Sequence, residues 1–133
     1  MPATMTAKVL MTPEPIFVQP NADPSEILRI FAEKKFTALP VGTESSVMGV
    51  LSEMSLVKIM VQFSMEGKTK KIGDYMGLLE KATYVAQTAQ LHDIVKAMVA
   101  STTHRVLVRD NFDKIVGILS PKDLLRVLSG EPA

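Results

Sequence analysis

"VGILSPKDLLRVL" occupies residues 116–128, and "MGVLSEMSLVKIM" occupies residues 48–60. The two stretches carry glycine, an aliphatic residue, leucine and serine in the same order. Where the second stretch has Asp123, the first has Ser55. A unit has been duplicated, its scaffold kept and one carboxylate lost.

The repeat extends on both sides of this pair. Pro24, Ile27, Leu28, Phe31 and Ala32 follow the i, i+3, i+4, i+7, i+8 spacing of one helix face, and Leu91, Ile94, Val95, Met98 and Val99 repeat it 67 positions later. The same offset relates "TALPV" (37–41) to "HRVLV" (104–108), both apolar runs of β type. It becomes 68 beyond the next turn, which places one extra residue in "RDNFDK" relative to "GTESS". Turns absorb insertions most easily.

Each half is predicted to hold a short strand, a helix, two strands around a polar turn and a closing helix. In the first half these fall near 16–19, 24–35, 37–41, 47–52 and 53–63; in the second, near 83–86, 90–101, 105–109, 114–119 and 121–129. Pro40 has no N–H for a sheet ladder, so its strand is expected at an edge or a strand end. Ser120 suits an N-cap, with Pro121 at the first helical position. Gly130 and Pro132 close the last helix, and "SMEGKTKK" (64–71) reads as a polar linker. The expected class is α/β (α+β), with two pseudo-symmetric β-α-β-β-α repeats, 1–66 and 67–133, packed sheet to sheet as one module. Half the chain alone would be marginal as a folding unit.

Composition narrows the function classes. The 133 residues are 47% hydrophobic, and 15 basic against 14 acidic residues give a net charge of +1, without the positive field of a nucleic-acid-binding protein. Cysteine is absent, excluding a disulfide framework and thiolate chemistry. No apolar run approaches the roughly 20 residues of a membrane helix, and no signal core follows the N-terminus, so a soluble, cytoplasmic protein without membrane contact is expected. Nine methionines read as soft filler of a core or interface.

Taken together, the order helix, "HRVLV", polar turn, "VGILSPKD" and helix, with lead-ins "KVLM" and "KIGDYM" before the copies, resembles a tandem cystathionine-β-synthase (CBS) domain pair, or Bateman module. The resemblance covers about residues 8–130. The match is specific in the second copy and weaker in the first, where the acidic position is gone. It implies a non-catalytic regulatory module that binds an adenine nucleotide (AMP, ADP or ATP) or S-adenosylmethionine in clefts between the repeats. It further implies a homodimer and a regulated enzyme or transporter as partner.

On the family pattern, one ligand site comprises Thr12, Ile16, Phe36, Thr37, Ser120, Lys122 and Asp123. A carboxylate accepts two hydroxyls at once, which suits Asp123 to the 2′ and 3′ hydroxyls of ribose. Ser120 lies at a helix start beside exposed backbone N–H groups that favour a phosphate oxygen, and Lys122 adds charge nearby. Ser-Pro-x-Asp is equally an ordinary helix-capping sequence, with Asp123 merely favourable in the first turn. A second, weaker site would use Ser52, Ser55, Met76, Thr83, His104 and Arg105. Arg105 would meet phosphate by its fork geometry, or serve only as a strand-end residue paired with Asp110 or Asp113.

Other chemistries fail on spacing. "GKT" (67–69) lacks the glycine five positions earlier that a phosphate loop needs, and "DNFDK" lacks the glycine and glutamate of a calcium loop. His92 and His104 stand alone, so no metal site is expected, and no serine or threonine has an identifiable base. Lys68, Lys70 and Lys71 form a basic cluster that reads as solvated linker. The alternative function is a ligand-free dimerisation or scaffold module, its clefts filled by bulky residues such as Met54, Met60 and Phe63.

Overall fold

In chain order, the computed structural model contains α1 (Ala7–Leu10), β1 (Thr12–Pro13), α2 (Pro24–Lys34), β2 (Ala38–Thr43), β3 (Ser46–Ser52), α3 (Glu53–Glu66), a 3-10 helix (Ile72–Leu78), β4 (Tyr84–Ala86), α4 (Leu91–Ala100), β5 (Val106–Arg109), β6 (Ile115–Leu119) and α5 (Pro121–Leu128). It describes residues 5–66 and 69–130; Gly67, Lys68 and Pro132 lie outside them. Two compact units result. A central unit is formed by Ile16–Lys81, and a terminal unit by the segment up to Pro15 together with Ala82 onward. Compactness thus divides the chain differently from the repeats at 1–66 and 67–133. Within the terminal unit the lead-in strand β1 pairs with β6, Thr12 opposite Ile118 and Pro13 opposite Gly117.

The terminal unit carries a four-stranded sheet of order β1-β6-β5-β4, with β4 parallel to β5 and the other pairs antiparallel. The central unit repeats this plan in reduced form. Its β2–β3 hairpin is flanked by single bridges, Val18 parallel to Val41 and Glu80 antiparallel to Val50. The strand expected at 16–19 is therefore only the bridge at Val18. Pro40 supplies the reason. In the terminal unit Leu107 N–H donates to the Thr83 carbonyl at 2.8 Å. Sixty-seven positions earlier stand Pro40 and Ile16, and proline has no N–H to give. What survives is the pair of bonds around Val18: its N–H to the Pro40 carbonyl and its carbonyl to Gly42 N–H.

The helix faces read from the sequence split in two. Ile27 and Phe31 of α2, and Ile94 and Met98 of α4, are buried in the apolar clusters of their own units. Leu28, at 45% exposure, and Val95, at 41%, remain accessible on the same helices. Five residues over more than two turns cover a wider arc than one sheet can bury.

The two hairpins differ by the single residue anticipated. In the central unit Thr43 faces Ser46, leaving a two-residue loop. In the terminal unit Asp110 N–H bonds the Lys114 carbonyl at 2.9 Å, leaving three. The Asp110 carboxylate accepts from Phe112 N–H at 2.8 Å and Lys114 N–H at 3.0 Å, and Asp113 takes up a φ of 61°. Gly42, at φ 122°, serves the shorter loop, where a side chain would collide with the Ser46 carbonyl. Gly42→Ala is expected to destabilise the protein by about 2–3 kcal/mol, measured by urea unfolding with an unchanged m-value.

Candidate ligand site at Asp123

The terminal unit builds its site from three consecutive pieces of local chemistry. Ser120 is extended at φ −124°, Pro121 opens α5, and Asp123 lies in the first turn. Asp123 is 6% exposed, an uncommon position for a carboxylate without partners. It has four donors. Oδ2 accepts from Ser120 N–H at 2.8 Å and Ser120 Oγ–H at 3.1 Å. Oδ1 accepts from Thr12 Oγ1–H at 3.0 Å and from Arg126 Nη2 at 2.9 Å. A carboxylate offers about four lone-pair sites, so this one is saturated.

Thr12 reaches Asp123 because β1 pairs with β6: its partner Ile118 stands five residues before Asp123 in the chain. The network thus joins two segments far apart in sequence, with Thr12 and Asp123 separated by 111 positions. Lys122, beside it, is exposed. The helix cap that Ser-Pro-x-Asp spells out is present. The same carboxylate that holds the helix start gathers two hydroxyls and a guanidinium around it.

In the central unit Ser52 and Ser55 replace this arrangement with hydroxyls. Ser52 N–H donates to Ser55 Oγ at 3.2 Å, Ser55 N–H donates to Ser52 Oγ at 3.1 Å, and the two oxygens are 2.8 Å apart. Ser55 is buried. A reciprocal hydroxyl cap therefore preserves the helix start without the charge.

The bridge residue opposite this cap is Glu80, which is not among the expected site residues. It bridges Val50, five residues before Ser55, as Thr12 pairs with Ile118 five residues before Asp123. Met76 lies instead within the 3-10 helix, at 40% exposure. Aligning "KVLM" with "KIGDYM" on their methionines misses this, because three further residues separate Met76 from Glu80. Packing gives the correct match: a side chain at Gly117 would meet Met11, and one at Gly49 would meet Leu79. Hydroxyl and carboxylate have exchanged places between the units.

The other expected residues are divided between the units. Ile16, Phe36 and Thr37 belong to the central unit. Ile16 is exposed, Phe36 packs edge-on against Phe31 with ring centroids 6.2 Å apart, and the Thr37 carbonyl accepts from Glu53 N–H at 3.1 Å. Thr83, His104 and Arg105 belong to the terminal unit. His104 has a φ of 55° with Nδ1 3.4 Å from the Met98 carbonyl, and Arg105 Nη1 donates to the Thr103 carbonyl at 2.8 Å. Among the described residues no group of three or more His, Cys, Asp or Glu side chains could hold a metal ion, and no helix is long and apolar enough to cross a membrane.

The family model for the CBS domain matches twice, over residues 7–62 and 72–130. The chain belongs to the CBS domain family, and its two matches make it a tandem CBS pair. CBS pairs are regulatory modules rather than catalytic domains. The crystal structure of the CBS-pair protein CBSX2 from Arabidopsis thaliana has a TM-score of 0.77 at 24% identity, covering 94% of each chain. CBSX2 in complex with AMP has a TM-score of 0.74 at 25% identity, over 94% of this chain and 96% of that one. The CBS domain of a bacterial CNNM/CorC family Mg2+ transporter in complex with ATP shares the fold, with a TM-score of 0.76 at 18% identity over 96% and 89%. Among curated proteins, the chain is 25% identical over 114 residues to the uncharacterised protein MJ1232 of Methanocaldococcus jannaschii, covering 86% of this chain and 36% of that protein. It is 29% identical over 123 residues to the zinc metalloprotease MJ0392 of the same organism, covering 92% and 32%. The chain spans about a third of the length of these curated relatives.

Asp123→Ala removes the acceptor of four hydrogen bonds and leaves Ser120 N–H without its cap. A loss of about 2–3 kcal/mol in unfolding free energy is expected, against about 1 kcal/mol for Ser55→Ala, with chemical denaturation of both variants as the check.

Proposed function

We propose that this CBS pair is a sensor that binds an adenine nucleotide or related adenosyl compound, and that Asp123 receives the ribose hydroxyls. The observation that carries this reading is a buried carboxylate whose partners include two rotatable hydroxyls, Thr12 and Ser120, and one flexible guanidinium. A ribose cis-diol offers the same kind of donors, and a hydroxyl released from Asp123 can turn to a ligand oxygen. The AMP complex of CBSX2 and the ATP complex of the CNNM/CorC CBS domain support the ligand class. S-adenosylmethionine carries the same diol and falls within that class.

The module acts as a homodimer in this reading, and ligand occupancy regulates a partner enzyme or transporter. Support comes from apolar residues left exposed at equivalent positions of both units: Leu28 and Val57 in one, Val95 and Leu125 in the other. In the central unit they border an apolar groove of about 230 Å³, with Phe31, Phe36 and Leu56 along it. A self-complementary apolar face is what a twofold interface requires. A ligand-free scaffold remains the second reading, favoured by the absence of a carboxylate from the Ser52–Ser55 cap.

Isothermal titration with AMP separates the two. The parent is expected to bind, and Asp123→Asn, which keeps the side-chain shape and loses the charge, is expected to bind about 10- to 100-fold more weakly. Equal binding by the two proteins overturns the ribose assignment. No binding by a parent shown by mass spectrometry to carry no ligand selects the scaffold reading.

A further inference from the structure

We infer that Arg126 is an internal competitor for the ribose site and sets its affinity for any ligand bearing a cis-diol. The inference rests on the reading of Asp123 given above. All acceptor positions of the Asp123 carboxylate are taken, two on each oxygen. A cis-diol needs two of them, so two resident donors must leave. Ser120 N–H cannot leave without undoing the start of α5, which makes Oδ2 the less available oxygen.

Oδ1 is different. Both its donors sit on side chains that rotate: Thr12 Oγ1 and Arg126 Nη2. Thr12 loses little on release, since a hydroxyl is both donor and acceptor and finds a new partner on the ligand. Arg126 is a donor only. Its side chain is 38% exposed, and its Nη2 forms an ion pair with Asp123 across one helical turn. Its Nε is buried with no hydrogen-bond partner among the described residues. The guanidinium is therefore held by one good contact while another of its donors goes unsatisfied, and release into water satisfies every donor. That makes it the displaceable occupant of Oδ1. The central unit shows the contrast. At the position equivalent to Arg126 stands Lys58, which is exposed, and the cap beneath it is the serine pair. At these two positions carboxylate and arginine occur together in one unit, and Ser55 and Lys58 stand in the other.

The test compares the parent chain, Arg126→Gln and Arg126→Lys for binding of adenosine and of 2′,3′-dideoxyadenosine. Neither compound has a phosphate, so a guanidinium–phosphate contact cannot mask the result. Arg126→Gln is expected to bind adenosine about 3- to 10-fold more tightly than the parent, the range set by a half-exposed, hydrogen-bonded ion pair. Dideoxyadenosine should show no gain, because it does not displace Arg126. Arg126→Lys keeps a charge opposite Asp123 and should stay within about 2-fold of the parent for adenosine. Unchanged or weaker adenosine binding in Arg126→Gln overturns the competitor role, as does an equal gain for both compounds. If adenosine and AMP bind neither the parent nor the variants, the ribose reading itself falls and takes this inference with it. If AMP binding depends on Asp123 while Arg126→Gln changes nothing, only the inference falls.

Discussion

The carboxylate of Asp123 is the constraint around which the terminal unit is organised. Burying it at the start of α5 obliges the fold to bring it donors. Ser120 answers from the helix cap, Arg126 from the next turn, and Thr12 from the other end of the chain. The last contact requires that β1 pair with β6, which draws the lead-in segment into the unit formed by the C-terminal half. One charged group thus links helix capping, strand pairing and chain topology. It is also the group to which the proposed function assigns the ribose hydroxyls.

The central unit shows the same scaffold without that charge. Its cap is closed by two serines, its opposing strand position holds Glu80, and its outer strand is cut to one bridge because Pro40 has no N–H. Removing a carboxylate from the helix start also removes the need for a hydroxyl opposite it, and an acidic residue is then tolerated at the strand. Duplication gave two copies of one frame, and local substitutions gave them different polar chemistry.

Much of this was legible in the sequence because it follows from periodicity. The offset of 67, rising to 68 past the turn, located four elements in the first half, five in the second and the extra hairpin residue, and the resemblance to a CBS pair followed from the same strings. Of the residues expected at one site, Thr12, Ser120 and Asp123 meet in one hydrogen-bond network, while Ile16, Phe36 and Thr37 belong to the other unit and Lys122 is exposed. Three features were not legible. Arg126 is not among the expected site residues, since its contact with Asp123 depends on a rotamer. Glu80 was hidden by lead-ins of unequal length, which a register argument cannot align without the Met11–Gly117 and Leu79–Gly49 packing. The missing strand at 16–19 depended on which N–H that strand would have used, and only the pairing identifies it as that of residue 40.

A crystal structure of the protein with bound adenosine addresses the central claim most directly. The account predicts both ribose hydroxyls within hydrogen-bonding distance of the Asp123 carboxylate, with Ser120 N–H still bonded to Oδ2 and Arg126 turned away. Adenosine bound elsewhere, with Thr12, Ser120 and Arg126 all still on Asp123, would contradict it and leave the carboxylate as a helix cap alone.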